Sequence, residues 1–229
     1  MSGRFLGTPY VHSPLGEGEG IDPDPTIRFD AVDCLTFVEE TLALSLARDP
    51  SDVRTLLVAL RYADRPAFED RNHLMEAQWL PNNVRKGFLR DVTRMYGGAD
   101  TVVTKKVISK AAWQVPSSKA LQLPPDRQVV GEFPLELIPL QKVLDHARDI
   151  PSGTVLMVAR EDRPNKVTRI THLGFVVQKD GRTFLRHAAR NIYRRVVDED
   201  LRDFLLRNSK YSKWKVSGVA LYEPVDPAR

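Results

Sequence analysis

The chain reads as an α+β protein, with helices through its first two thirds and short strands in its last third. Two observations predict this. Apolar residues Leu35, Val38, Leu42 and Leu46 recur at close to helical spacing. Residues 154–160, 172–178, 183–188 and 216–222 are short runs rich in Val, Leu and Phe, each bounded by turn residues, as strands are.

Taken in order, residues 1–28 form a Gly- and Pro-rich lead-in and loop, with Pro14, Gly16, Gly18, Gly20, Pro23 and Pro25. A helix is expected over 34–47, capped by Asp33. Ser51 can start a second, through Leu56, Leu57 and Leu60. Residues 82–96 and 102–113 also read as helical. Pro116, Pro124, Pro125 and Pro134 make 114–138 an extended crossing segment, followed by a short helix over 139–148. A helix near 198–207 interrupts the terminal strands. The expected organisation is one domain over 1–229, mainly helical over 1–113 and mainly β over 114–229.

Composition narrows the function classes. Of the 229 residues, 42% are hydrophobic and 28% charged, as in ordinary globular proteins. No run approaches the roughly 20 apolar residues of a membrane-spanning helix, and the first residues hold no apolar leader core. The net charge of +4 is spread among interleaved acids. Neither a paired-cysteine finger nor a phosphate-cradling glycine loop is present, so nucleic acid is not an expected partner.

Chemistry is suggested by the lone cysteine, Cys34, which follows Asp33 at the start of the first helix. It cannot form a disulfide within the chain or a cysteine-rich zinc site. It is either a small buried hydrophobe or a nucleophile. Helix-start N–H groups favour thiolate, so alkylation is expected below the free-thiol pKa of about 8.5.

Two histidines are placed by a turn. Asp180-Gly181 is a preferred two-residue hairpin turn. That turn sets Lys179 against Arg182 and His187 against Gly174. His172 and His187 then share a face as diagonal neighbours, roughly 7–8 Å apart at the backbone, with Gly174 leaving space between them. Cys34 as nucleophile, His172 as base and His187 as orienter would make a thiol-based acyl-transfer site, with the Cys34 N–H as an oxyanion donor. A one-cysteine, two-histidine zinc site is the competing use. It ranks lower because no short-spaced ligand pair occurs; neither metal nor cofactor is expected.

Phe5-Leu6-Gly7-Thr8-Pro9-Tyr10, Asp33-Cys34, His172-Leu173-Gly174 and His187 together resemble the NlpC-type papain-like cell-wall hydrolases. Cys34-Leu35-Thr36-Phe37-Val38-Glu39, Arg71-Asn72-His73 with Trp79, and the Gly153 strand entry resemble the N-acetylmuramoyl-L-alanine amidase-like branch, long catalogued as a domain of unknown function. The resemblance implies a papain-like fold in which a helix-borne cysteine packs on an antiparallel sheet or barrel. It implies cleavage of the amide between the lactyl group of N-acetylmuramic acid and L-alanine, on peptidoglycan or muropeptides. The Cys34–His172–His187 assignment follows from it too, as does Tyr10 bonding to the site. The periplasm or cell envelope is the implied compartment. The alternatives are a stem-peptide endopeptidase of the same fold and a catalytically silent cell-wall-binding module.

Arg71, His73 and Trp79 are candidate groove residues, since arginine holds carboxylates and tryptophan stacks on sugars. A surface arginine and a core tryptophan are the open alternative. Glu39 and Glu40 are expected on a solvated helix face, with fixing the site as the alternative role for Glu39. His12 and His146 are expected at the surface, and Trp113 and Trp214 in or near the core.

Overall fold

The computed structural model describes residues 1–227. Its first half holds α1 (Cys34–Leu46), α2 (Asp52–Arg61), α3 (Leu80–Arg85), β1 (Leu89–Asp91), α4 (Thr93–Gly97) and β2 (Val102–Ile108). Then follow α5 (Pro116–Lys119), β3 (Gly131–Pro139), α6 (Val143–His146), β4 (Val155–Arg160), β5 (Ile170–Lys179), β6 (Arg182–Ala189), β7 (Arg195–Asp200), α7 (Leu201–Ser209) and β8 (Val216–Pro224). The fold is mixed α+β. Its antiparallel sheet runs β2-β3-β8-β4-β5-β6-β7, with β1 also paired to β8.

Helices cover both sheet faces. Val155, Met157 and Ala159 of β4 pack with Phe37, Val38 and Leu42 of α1. Leu156 and Val158 pack on the opposite side with Leu201, Phe204 and Leu205 of α7. A strand buried on both faces shows a continuous apolar run rather than alternation, which is why Val155–Ala159 contains no polar residue.

Three stretches differ from the helices and crossing expected above. Within 82–96 the helix ends at Arg85, Gly87 takes φ +78°, and Leu89–Asp91 pairs with β8. Residues 102–108 form a strand against β3; the β-branched Val102-Val103-Thr104 favours the pleat. Part of the proline-rich crossing is β3 itself. Pro134 is tolerated there because β3 meets β8 only at Ile138 and Pro139, leaving its earlier residues an open edge. The expected helix near 198–207 begins later, at Leu201; β7 occupies the residues before it.

Candidate active site

Cys34 opens α1, and Asp33 builds that start. Asp33 Oδ1 accepts from the Leu35 and Thr36 N–H groups at 3.0 and 2.8 Å, while the Asp33 N–H donates to Thr36 Oγ1 at 2.8 Å. This reciprocal capping box consumes the first orphan donors of the helix. Asp33 Oδ2 accepts from the Ser13 N–H at 3.2 Å.

The β5–β6 turn has the expected two-residue form. Lys179 pairs with Arg182, and Asp180 and Gly181 take φ +50° and +70°. The regular ladder runs from there to Phe175 opposite Arg186. Just beyond it, His172 Nε2 and His187 Nδ1 lie 2.6 Å apart, with the rings nearly perpendicular. Phe204 of α7 stacks on His172 and meets His187 edge-on. His187 is buried, and its Nε2 lies 3.1 Å from Glu199 Oε2 on β7. Arg207, one turn after Phe204, holds both Glu199 oxygens.

Helix start and hairpin meet. The Leu173 N–H, one residue after His172, is near enough to the Cys34 sulfur to favour its charged form. Cys34, His172, His187 and Tyr10 line one cavity of about 380 Å³, together with Arg160, Arg190, Tyr193 and Arg207. Tyr10 is held between two elements: its N–H donates to Arg194 O before β7, and flanking backbone bonds tie the segment to Val32.

The protonation states correct the thiolate expectation. Burial, then the charge of Asp33, pushes the Cys34 thiol up to about 12; the Leu173, Cys34 and Leu35 N–H groups only moderate this. Burial first, and then the neighbouring His187 and Arg207, hold His172 well below the ordinary imidazole range. Both shifts favour the uncharged thiol and imidazole over a thiolate–imidazolium pair in the shared cavity. The helix start does not outweigh desolvation. Tyr10 is raised to about 12, by burial and then by Cys34 and Asp33, so it remains a phenol donor.

The other candidate residues lie apart. Arg71 and His73 line a smaller cavity of about 150 Å³ on the other side of Asp33. Arg71 donates from Nε, Nη1 and Nη2 to Glu17 and Asp22, tying down the glycine-rich loop. The His73 Nε2–H donates to Phe68 O at 2.6 Å. Trp79 does not line a groove: it is fully buried, and its Nε1–H donates to Glu39 Oε1 at 2.8 Å. Glu39 and Glu40 are likewise not on a solvated face. Both are buried, because α2 and the Trp79 segment pack over that side of α1. Burial raises their carboxyls to about 7 and about 8. His12 reaches the rim of the larger cavity, and His146 bonds Asp100.

Glu199, Phe204 and Arg207 were not visible as site residues in the sequence. Assigning 198–207 to one helix concealed that Glu199 ends a strand opposite Leu185, two residues from His187 on the same face. No group of three or more His, Cys, Asp or Glu side chains suited to a metal occurs among the described residues. Nor, among them, is any helix long and apolar enough to cross a membrane.

Residues 1–211 match the model of the AmiA-like, N-acetylmuramoyl-L-alanine amidase-like family. A Bacteroides uniformis N-acetylmuramoyl-L-alanine amidase is 25% identical, with TM-score 0.78 over 98% of this chain and 97% of that one. A Legionella pneumophila protein assigned to the DUF1460 family is 23% identical, with TM-score 0.84 over 98% of this chain and 86% of that one. A Bacteroides fragilis protein named for xylanase activity is 24% identical, with TM-score 0.76 over 97% of this chain and 98% of that one. Comparison with curated proteins returns no significant match.

Proposed function

The chain belongs to the N-acetylmuramoyl-L-alanine amidase-like family, and from that premise we propose that it is a cysteine amidase cleaving the N-acetylmuramoyl–L-alanine bond of peptidoglycan or muropeptides. We read it as one papain-like, NlpC-type domain. The observation that carries the reading is the opening of Cys34 and the touching His172–His187 pair onto one cavity.

In this reading His172 takes the Cys34 proton as sulfur attacks the lactyl carbonyl carbon. The C–N bond to alanine then breaks, and His172 returns the proton to the departing amine. Water, deprotonated by His172, hydrolyses the thioester and regenerates the thiol. Because both shifts favour the uncharged groups, the base must act during attack rather than store a thiolate beforehand. His187 orients His172. The Cys34 N–H and the Tyr10 hydroxyl are the candidate donors to the carbonyl oxygen. Arg160 and Arg190 give the cavity a cationic lining suited to the carboxylates of a peptide stem.

Sugar-bond hydrolysis of the xylanase kind fits the site poorly. It needs two carboxyl groups flanking the scissile bond, whereas among the described residues the only carboxylate lining this cavity is Asp33, whose oxygens are bonded to helix and loop N–H groups.

The test is turnover of purified muropeptides by protein in which mass spectrometry shows Cys34 fully alkylated by iodoacetamide, and by Cys34→Ala. Both should abolish cleavage. Undiminished turnover by either would refute the cysteine mechanism. His187→Ala should cost far more turnover than stability; equal losses would make it a packing residue.

A further inference from the structure

Resting on the cysteine-amidase reading, we infer that Glu199, clamped by Arg207, is a positioning residue that fixes the tautomers of both histidines and so leaves His172 with a free basic nitrogen. Glu199 is not a catalytic residue: its side chain is 3% exposed and does not line the cavity.

The inference follows from donors and acceptors taken in sequence. An ionised carboxylate only accepts, and a guanidinium only donates. The Arg207 fork supplies Glu199 with two charge-assisted bonds, the pairing a buried carboxylate requires. Burial opposes its charge, yet the bonds from His187 and Arg207 hold its carboxyl at about 2. Facing that acceptor at 3.1 Å, His187 Nε2 must carry hydrogen. In its singly protonated form, His187 then presents a lone pair at Nδ1. The 2.6 Å contact from that atom to His172 Nε2 needs one hydrogen, which His172 must supply. His172 consequently carries its hydrogen on Nε2, and its Nδ1 is left as an acceptor. Phe204 packs against both rings and limits their rotation. Glu199, Arg207 and Phe204 lie within nine residues, so the β7–α7 junction acts as one clamp on the pair.

Glu199→Gln inverts the pattern with little change of shape. Arg207 claims the single amide oxygen, which turns the NH₂ group toward His187. His187 then keeps its hydrogen on Nδ1, and His172 must accept at Nε2 and lose its basic Nδ1. A wrong tautomer costs a serine triad about 10⁴-fold; with the carboxylate one ring further away, about 10²-fold in kcat is expected here, with KM changed less than about twofold. Nitrogen-15 spectra of the histidines provide a readout that mere stabilisation would not move. The wild type should show both histidines protonated at Nε2, and Glu199→Gln both at Nδ1. Arg207→Lys keeps the carboxylate, so it should keep the wild-type tautomers.

A folded Glu199→Gln with unchanged tautomers and unchanged kcat overturns the inference. So does a wild-type His187 protonated at Nδ1, which decides the matter even if the variant does not fold. The spectra need no substrate. A wild-type chain with the stated tautomers that cuts no muropeptide would therefore sink the amidase reading while leaving the tautomer assignment intact.

Discussion

Gly174→Ala probes the histidine pair without touching either histidine. A Cβ at this position would lie 2.5 Å from the Arg186 carbonyl oxygen, 2.8 Å from His187 Cβ and 3.1 Å from Leu185 Cδ1. Ordinary carbon contacts are about 3.5–4.0 Å, so β5 and β6 must part by about 1 Å. Arg186 O belongs to the backbone and cannot swing aside. The 2.6 Å contact between the imidazoles would open to about 3.6 Å, beyond hydrogen-bond reach. Overpacking of this kind costs about 1–3 kcal/mol, which for a chain of this size lowers Tm by about 2–12 °C. A displacement of about 1 Å at a reacting group costs about 10²-fold in rate. The assay is kcat/KM on a defined muropeptide, measured well below Tm. Gly97→Ala serves as the control. Its Cβ would meet the Thr101 hydroxyl and Ile138 Cγ1, the latter at 2.6 Å, on α4 beside β3, three strands from β5. It should lower Tm and leave kcat/KM alone. A Gly174→Ala protein with the wild-type rate, or a Gly97→Ala protein that loses as much, would refute the role given to the histidine contact.

Other outcomes follow from the buried charges. Glu40 is buried and is raised from 4.5 to about 8, by burial first, moderated by the Arg28 N–H, and raised further by the Glu39 charge. With the folded pKa above the unfolded one, its contribution to stability is complete below about pH 4.5 and is lost as pH rises through 8, by up to about 3–5 kcal/mol. Glu40→Gln should flatten the fall of Tm between pH 5 and 9; parallel curves for the two proteins would contradict this. Cys34, pushed up to about 12, should alkylate slowly at pH 7 and faster with each pH unit up to 10, whereas a plateau below 8.5 would contradict its burial. Asp33→Asn keeps a capping oxygen but removes the charge that raises the thiol. It should alkylate faster at pH 8 with Tm lowered by only a few degrees, and an unchanged rate would remove Asp33 from the list of causes.

The parts of the fold read correctly from sequence were those in which local chemistry and tertiary packing agree. The Asp33 cap, the α1 stripe and the Asp180-Gly181 turn are local signals, and the turn alone sets the register that brings His172 to His187. Misreadings arose where a distant strand decided. Val102–Ile108 is a strand because β3 pairs with it, and Leu89–Asp91 because β8 does. Glu40 looked like a surface residue because neither its own helix nor its spacing reveals that α2 and the Trp79 segment cover that side. Trp79 looked available for sugar stacking; its partner, Glu39, lies 40 residues earlier. The thiol was misjudged for a related reason: a helix start is visible in sequence, whereas the desolvation that outweighs it is not.

The bond that is cut bears most directly on the proposed function. A defined disaccharide–peptide muropeptide is incubated with the wild type and with Cys34→Ala, and the products are weighed by mass spectrometry. The expected result is a free disaccharide ending in its lactyl carboxylate and an intact peptide beginning at L-alanine, from the wild type alone. A cut inside the stem peptide, or the same products from Cys34→Ala, would contradict it.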